Sequence, residues 1–394
     1  MDRERQAWRE LDRSSMSRGS KWLLMGVFVG VVGCVFAVDL WKPYGPRDAV
    51  RTFVVRDRGI PEERLNLLAR IGDWNEETIA DIGRFEAQIE EESVLRATVP
   101  FWQWLQARVL NSSGTARVLF GRDDWLFLRE NVEIALGRLD GVSVEEADRA
   151  VRELAAILDE QGVELWIAPI PPKPEIEPDR FSGRFGQSDT VPPDDLRTSL
   201  YAGWERLPNV SVLPIRDLMK ERAARGESSF LERDTHWTPS AMEAVAGMMA
   251  KRLGFTSGKN KYETRQVSGE GDLVRMLEMG GNAPFPNQTV AVNPWGGTDS
   301  ESGSVDLILL GDSFSAVFSE PILGWGSDAG LLDQLREGYG ISVKPFVNHG
   351  DPVQAPRQSL QRYLEAGGEL PDRVVWQFAE RFLNEGDWSW RMRE

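Results

Sequence analysis

Short apolar runs recur along the second half of the chain, with helical patterns between them. The runs fall in 163–170, 210–215, 305–315, 341–348 and 372–380, and each begins or continues with little polar alternation. A strand without polar alternation is covered on both faces, which is typical of a parallel sheet. The interleaved order predicts an α/β fold, a three-layer α/β/α sandwich with a mainly parallel sheet.

Two of the intervening helices carry end signals. Ser143 and Glu146 have the spacing of a capping box, and Gly162 is expected to stop that helix. Thr238 predicts the N-cap of a second helix, with Pro239 in its first turn. The helical periodicity of the first predicts that one face is buried, formed by Val144, Ala147, Val151, Leu154 and Leu158.

An uncharged stretch near the N-terminus predicts a membrane anchor. Residues 22–38 carry no charge, and these 17 residues lie at the lower end of the length that spans a bilayer. Trp22 and Trp41 flank the stretch as interfacial residues do. We therefore expect a cytoplasmic leader at 1–21 and a transmembrane anchor at 22–41.

Two alternatives remain for this stretch. Small residues at 35–37 would suit a cleaved signal peptide, although the polar leader is long for one. Cys34 could be a lipoprotein-type cysteine, although the apolar run continues past it. Each alternative also puts the bulk of the chain outside the cytoplasm. After the anchor, the pattern predicts a linker and charged helical arm at 42–115 and the main domain at 116–394, which includes a strand pair in "VLFGRDDWLFLR".

Composition excludes several function classes. The 394 residues carry a net charge of −16, so the clustered cations that bind nucleic acid are not expected. Cys34 is the only cysteine, which rules out an intrachain disulfide. His236 and His349 are the only histidines, so a metal site would lack its commonest ligands.

One constellation suggests nucleophilic catalysis. The run "LILLGDSFS" ends a predicted strand at Gly311 and displays Ser313 at the carboxyl edge of the sheet, where α/β proteins usually bind ligands. A serine nucleophile needs a base, and neutral imidazole is the usual one. His236 follows Asp234 by two residues, so the aspartate could orient the ring.

Each of these residues also has a simpler interpretation. Gly-Asp-Ser is often an ordinary turn in which Ser313 would cap a helix. A histidine that flanks a helix, such as His236, is often only a surface residue. His349, followed by Asp351, is the one rival base.

At this point the motifs resemble a family. Gly-Asp-Ser with a separate Asp/His pair is similar to the SGNH hydrolases, but here the Asp/His pair comes first and is Asp-x-His. This permuted order resembles the alginate O-acetyltransferase family of the AlgJ/AlgX type. The resemblance extends over most of the chain, in "GRDDWLFLREN" (121–131), "IPPKPEIEPDRF" (170–181), "RDTHWTP" (233–239), "GDLVRML" (271–277), "LLGDSFS" (309–315) and "WQFAER" (376–381).

The resemblance implies residue roles. Ser313 would be the nucleophile, His236 the general base and Asp234 its orienter. Arg381 would assist the acyl or sugar ligand, unless it only forms a surface salt bridge with Glu380. Weaker candidates for substrate binding are Lys173 and Asn282, the latter with Gly281 as a possible oxyanion donor in "GGNAPF".

The resemblance also implies an activity. The protein would be a membrane-anchored periplasmic O-acetyltransferase that forms a Ser acyl-enzyme and acetylates an exopolysaccharide, without metal or organic cofactor. A polytopic inner-membrane acyltransferase would deliver the acetyl group. Two alternatives stay open: a carbohydrate acetylesterase with the same triad, and an inert polysaccharide-binding scaffold subunit. The sequence does not identify the polymer.

Overall fold

The computed structural model describes residues 117–186, 189–255, 263–277, 285–295 and 304–392. The predicted leader, membrane anchor, linker and helical arm therefore lie outside the described residues. Among the described residues, no helix is long and apolar enough to cross a bilayer.

The described part of the chain alternates strands and helices. Its strands are β1 (Val118–Phe120), β2 (Leu126–Leu128), β3 (Glu164–Ile170), β4 (Val210–Val212), β5 (Arg265–Gly269), β6 (Gln288–Val292), β7 (Leu307–Gly311), β8 (Val343–Val347) and β9 (Arg373–Ala379). Its α-helices are α1 (Arg129–Ala135), α2 (Gly141–Asp159), α3 (Lys173–Ile176), α4 (Pro178–Phe181), α5 (Asp195–Trp204), α6 (Ile215–Ala224), α7 (Pro239–Arg252), α8 (Asp272–Met276), α9 (Ser313–Ala316), α10 (Leu331–Asp333), α11 (Gln354–Glu365) and α12 (Phe382–Glu385). A 3-10 turn (Pro321–Leu323) and a π-helical turn (Gln334–Gly338) complete the set.

A five-stranded sheet forms the centre, in the order β4-β3-β9-β7-β8. Every neighbouring pair in it is parallel. Each of the five apolar runs contains one of these strands, so the predicted parallel sheet is confirmed. The last strand of the chain, β9, lies in the middle of the sheet, which brings its carboxyl end beside that of β7.

Helices cover both faces of the sheet and give three layers. Along β7, Leu307 and Leu309 join one hydrophobic core, while Ile308 and Leu310 join the other. The first core is closed by α6 and α7, and the second by α2, α5 and α11. Because both faces of the central sheet are covered by apolar side chains, its strands lack polar alternation, as the sequence indicated.

The helix-end predictions had different outcomes. Thr238 caps α7 as predicted, with its side chain accepting from the Ala241 N–H. The capping box at Ser143 is wrong: α2 begins at Gly141, and Asp140 is its cap. The Ser143 hydroxyl instead donates to the Asp140 carboxylate at 3.0 Å. The predicted inward face of α2 is buried throughout, including Val144, Ala147, Val151, Leu154 and Leu158.

Two antiparallel strand pairs form separate two-stranded sheets outside the central one. The predicted strand pair at the start of the main domain is β1 and β2. The pairing of β5 with β6 was not predicted, because its strands are largely polar and partly exposed and are separated by a long connection. Gly269 at the end of β5 packs against Trp325, where an added Cβ would lie 3.0 Å from the indole ring. The β5–β6 pair therefore contributes to the surroundings of the site described next.

Candidate active site

Ser313 lies where β7 passes into α9, at the carboxyl edge of the sheet. Gly311 is required there, because a Cβ at that position would lie 2.7 Å from the Ser315 Oγ. Asp312 caps the helix and accepts from the Phe314 N–H at 2.8 Å. The turn interpretation, in which Ser313 is the cap, is therefore wrong, and its hydroxyl is free to face another partner.

Asp312 fixes this turn to the neighbouring strand. Its carboxylate accepts from the Gln377 Nε2 at 2.7 Å and the Ala379 N–H at 2.8 Å, both on β9. The Gln377 Oε1 in turn accepts from the Ser315 hydroxyl at 2.6 Å. Buried polar groups that are all paired rigidify their surroundings, so the aspartate of Gly-Asp-Ser positions the serine.

The Asp-x-His segment forms a tight turn before α7. A β-bridge between Phe230 and Trp237 closes it, and the Leu231 N–H donates to the His236 carbonyl at 3.0 Å. Within the turn, the Asp234 Oδ1 accepts from the His236 N–H at 2.9 Å. Such an aspartate-to-backbone bond at two residues' separation is the common Asx geometry, and it places carboxylate and imidazole side by side.

The structure brings the three predicted residues into one chain of hydrogen bonds. The His236 Nε2 lies 2.8 Å from the Ser313 Oγ, and the His236 Nδ1 lies 2.6 Å from the Asp234 Oδ1. Asp234 is fully buried, while Ser313 and His236 are 9% and 5% exposed. This geometry allows the imidazole to take a proton from the hydroxyl while the carboxylate holds its tautomer.

His349 is not part of this arrangement. It is partly exposed, and its Nε2 lies 3.6 Å from the Glu320 carboxylate. The alternative in which His236 is a surface residue is also wrong, because its ring is buried against Phe314 at 4.8 Å between centroids.

Electrostatics favour an ionised aspartate and a basic imidazole. Burial alone would lower the pKa of His236, but the charge and hydrogen bond of Asp234, with a further contribution from Asp272, raise it above its usual value. Burial opposes ionisation of Asp234 as well, yet His236 and the donors around it hold the pKa of this carboxyl far below its usual range. The pair is therefore built to accept a proton on the ring, not on the carboxylate.

The second oxygen of Asp234 has two further donors that the sequence did not reveal. The Trp325 Nε1 donates to the Asp234 Oδ2 at 2.8 Å, and the Asp272 N–H donates to it at 3.0 Å. Only the motif "GDLVRML" gave a signal for Asp272, and nothing in the sequence singled out Trp325. Both come from segments distant along the chain, so their approach depends on the tertiary fold.

The three acidic and imidazole groups could also be considered as cation ligands. Ligand atoms of Asp234, His236 and Asp272 lie within 4.8 Å of one another. However, Asp234 and Ser313 already occupy both ring nitrogens of His236. The arrangement fits proton transfer better than metal binding.

Lys173 occupies a different place from the one expected for a substrate-binding residue. It is 1% exposed, and its Nζ donates to three backbone carbonyls: Leu126 at 2.7 Å, Glu232 at 2.9 Å and Asp234 at 3.1 Å. Burial lowers the pKa of this amine to about 7. Because its hydrogen-bonding capacity is used on the backbone, Lys173 joins β2 to the Asp234 segment.

Arg381 lies beside the triad, at the carboxyl end of β9. Its guanidinium carbon is 5.8 Å from the centre of the Phe314 ring and 4.6 Å from that of Phe382. The side chain is 8% exposed, and its Nη1 has no hydrogen-bond partner among the described residues. Its positive charge lowers the pKa of His236, against the larger effect of Asp234.

The predicted alternative for Arg381, a surface salt bridge with Glu380, is wrong. Glu380 is buried and pairs with Arg197 at 2.5 Å and Arg216 at 2.7 Å. Both arginines also bind Glu175, so four buried charges compensate one another. This network fixes the residue that follows β9. Because Glu380 pairs with Arg197 and Arg216, its carboxylate does not engage Arg381, which lies beside the triad. Asn282 and Gly281 lie outside the described residues.

With the geometry established, known proteins provide a comparison. The family model of the SGNH hydrolase-like domain of acetyltransferase AlgX matches residues 118–380. The probable alginate O-acetylase AlgJ of Azotobacter vinelandii is 26% identical over 322 residues, covering 76% of this chain and 78% of the relative. The protein of the same name from Pseudomonas aeruginosa is 26% identical over 330 residues, with 76% and 78% covered.

A solved structure agrees with the fold. The O-acetyltransferase domain of Pseudomonas putida AlgJ aligns with a TM-score of 0.50 at 22% identity, covering 68% of this chain and 92% of that domain. At this identity the likeness speaks for the architecture alone. The family match extends over more than half of the chain and includes every triad position. The chain belongs to the SGNH hydrolase-like acetyltransferase family of the AlgX type.

Proposed function

We propose that this protein is an O-acetyltransferase that acetylates hydroxyl groups of an exopolysaccharide through an acetyl-enzyme on Ser313. The observation that supports it most is the continuous hydrogen-bonded path from Ser313 through His236 to Asp234. Membership of an acetyltransferase family supports the acetyl group as the transferred unit.

In the first half-reaction, the His236 Nε2 takes the proton of the Ser313 hydroxyl as its oxygen attacks the acetyl carbonyl carbon of the donor. Asp234 stabilises the imidazolium that forms and holds the ring in place. The tetrahedral intermediate then expels the donor's leaving group, which takes the proton from His236. The products are an acetyl ester on Ser313 and the protonated leaving group.

In the second half-reaction, a sugar hydroxyl replaces the leaving group. His236, neutral again, takes the hydroxyl proton as the sugar oxygen attacks the acetyl carbon of the acyl-enzyme. Collapse of this intermediate returns the proton to the Ser313 oxygen. The acetyl group then resides on the sugar, and the enzyme is regenerated.

Arg381 is proposed to bind the acyl or sugar ligand. Its buried guanidinium stands beside the triad with one nitrogen lacking a partner among the described residues. A fixed cation in a site of low polarity stabilises the negative charge that develops on an attacked carbonyl. Asn282 is retained as a further candidate for substrate binding. For Lys173 we favour a supporting role through the backbone, because its Nζ binds three carbonyls.

The cellular setting is proposed from the sequence. An anchor at 22–41 in the inner membrane would place the catalytic domain in the periplasm, beside a polytopic acyltransferase that supplies the acetyl group. The acceptor is alginate or another exopolysaccharide. The relatives are named for alginate, but a net charge of −16 requires a locally basic groove for any polyuronate.

The test is acetyl transfer from a chromogenic acetyl ester to oligosaccharides, followed by mass spectrometry of the sugar. We expect acetylated sugar from the parent protein and from Ser389→Ala, an exposed serine, and none from Ser313→Ala. Ester turnover that depends on Ser313 but never acetylates any sugar would instead favour the esterase. A folded protein that does neither would favour the binding subunit.

A further inference from the structure

We propose that Asp272 is a positioning residue for this reaction: a second carboxylate that holds the Asp234–His236 turn and adds negative charge beside the His236 Nδ1. The inference rests on the proposed function, since it takes His236 as the base. It concerns a residue outside the triad, on the short helix α8.

Asp272 accepts two hydrogen bonds from Thr235, the residue between Asp234 and His236. Its Oδ1 accepts from the Thr235 N–H at 2.8 Å, and its Oδ2 accepts from the Thr235 hydroxyl at 2.5 Å. The backbone N–H of Asp272 donates to the Asp234 Oδ2 at 3.0 Å. One residue therefore fixes both the backbone of the turn and the carboxylate of the orienter.

The close packing of Asp272 against the Asp-x-His turn depends on the preceding residue, Gly271. Gly271 has φ +92°, and a Cβ there would lie 2.2 Å from the Arg233 carbonyl oxygen. No other residue type fits such a close approach without movement of the backbone. The chain at this point is thus shaped to bring α8 against the Asp-x-His turn.

Asp272 also acts on the ring through its charge. Its Oδ2 lies 3.7 Å from the His236 Nδ1, too far for a hydrogen bond but close enough for a strong charge interaction in a buried site. The other charged groups that act on this ring are Asp234 on the same turn and Arg381 from β9. The charges of both carboxylates also act on Lys173 of α3 and raise its pKa against the effect of burial.

Two effects follow from this charge. It raises the pKa of His236 in addition to the effect of Asp234. Burial and the neighbouring Asp234 charge raise the pKa of Asp272 itself, so Asp272 loses its charge before Asp234 does as the pH falls. Removing the Asp272 charge should therefore weaken the base and shift its titration to lower pH.

The experiment titrates the His236 ring by NMR in the purified full chain labelled with 13C-histidine. The chain has only two histidines, so His349→Gln assigns the signals. In Asp272→Asn, we expect the His236 pKa to fall. The matched control is Asp333→Asn. Asp333 is also partly buried, and it accepts from a serine hydroxyl and a backbone N–H, those of Ser319 and Gly330. It should leave the His236 titration unchanged.

Kinetics give the second readout. For Asp272→Asn we expect kcat/KM with an acetyl ester to fall by about tenfold at the alkaline plateau, with the acidic limb displaced to lower pH. A purely structural role would lower the amount of folded enzyme and leave the limb in place. If Asp272→Asn does not fold, Asp272→Ser keeps a small acceptor for Thr235 and allows the same titration.

An unchanged His236 titration in a folded, uncharged Asp272 variant would overturn the proposal. That result is independent of whether the parent acetylates sugars, because the titration needs no substrate. Conversely, a shifted titration together with a parent that never acetylates Ser313 would support the charge coupling and reject the proposed function.

Discussion

At the scale of single residues, His236 is central, because its two ring nitrogens meet partners with distinct roles. Nε2 meets the hydroxyl to be deprotonated, and Nδ1 meets the carboxylate that stabilises the resulting charge. The sequence could indicate this histidine because histidine is scarce and Asp234 is two residues away. It gave no signal for Trp325 and only a motif, without a role, for Asp272, because their contacts with Asp234 join segments that are remote in sequence.

The raised pKa of His236 predicts the pH dependence of activity. The ring acts as a base only when it is neutral, so activity must rise with pH as His236 loses its proton. Because the folded pKa lies above the usual histidine value of 6.5, the midpoint of the acidic limb of kcat/KM should also lie above 6.5. A profile from pH 5 to 9 with an acetyl ester measures it. A midpoint clearly below that value would contradict the electrostatic description of the site.

At the scale of elements, Lys173 shows how a buried cation can join loops instead of binding substrate. Its ammonium bonds β2 to two positions of the segment that carries Asp234. It also lies 4.9 Å from the Trp125 ring and 5.0 Å from the Phe127 ring. A sequence pattern indicates that a lysine is present, but whether its Nζ faces solvent or carbonyls is decided by packing.

Lys173→Met should lower the free energy of unfolding by about 2–3 kcal/mol, because buried carbonyls lose their donor. The loss should shrink towards acidic pH. The folded pKa of Lys173 is about 7 and the reference value is 10.5, so the unfolded chain binds more protons between these values. The contribution of Lys173 to stability therefore falls as the pH falls from 10.5 to about 7, and stays low below 7.

Denaturant unfolding at pH 6.5 and 9 measures both effects. Lys251→Met, on the exposed surface near the end of α7, is the matched control and should change stability little. Equal stability of the two variants at both pH values would contradict the role given to Lys173.

Gly271 allows a second test at this scale. Gly271→Ala should destabilise the protein by at least about 2 kcal/mol more than Gly254→Ala. Both glycines have a positive φ, of +92° and +82°, but only Gly271 has a backbone oxygen 2.2 Å from the added Cβ, while nothing lies within 4 Å at Gly254. Chemical denaturation of the two variants compares them. An equal decrease in the free energy of unfolding of the two variants would mean that the contact between α8 and the Asp-x-His turn is not tight.

Elements differ in how far the sequence could predict them. The five strands of the central sheet were predictable, because burial on both faces makes their apolar runs continuous. The β5–β6 pair was not, since its strands are polar and largely exposed or partly exposed, and no short turn joins them. The N-cap of α2 lies three residues before the predicted one, because Asp140 and Ser143 are both good capping residues and the apolar pattern of the helix does not distinguish between them.

At the scale of the whole molecule, the fold explains the reversed order of motifs. The nucleophile follows β7 and Arg381 follows β9. These two strands pair in parallel, so their carboxyl ends lie side by side. The Asp234–His236 turn reaches the same edge from the connection between α6 and α7. The triad can assemble when both motifs lie at the carboxyl edge of the central sheet. The order of the Asp-x-His and Gly-Asp-Ser motifs along the chain is therefore not constrained.

Intact mass of the purified full chain after reaction with an acetyl ester tests the central claim most directly. We expect the parent to gain one acetyl group, which peptide mapping places on Ser313, and Ser313→Ala to gain none. Asp312 and Gln377 hold the turn without the Ser313 hydroxyl, so the variant should fold normally. An acetyl group that still accumulates at the active site of Ser313→Ala, or a parent that turns over ester with no Ser313 adduct even on rapid quenching, would contradict the acyl-enzyme mechanism.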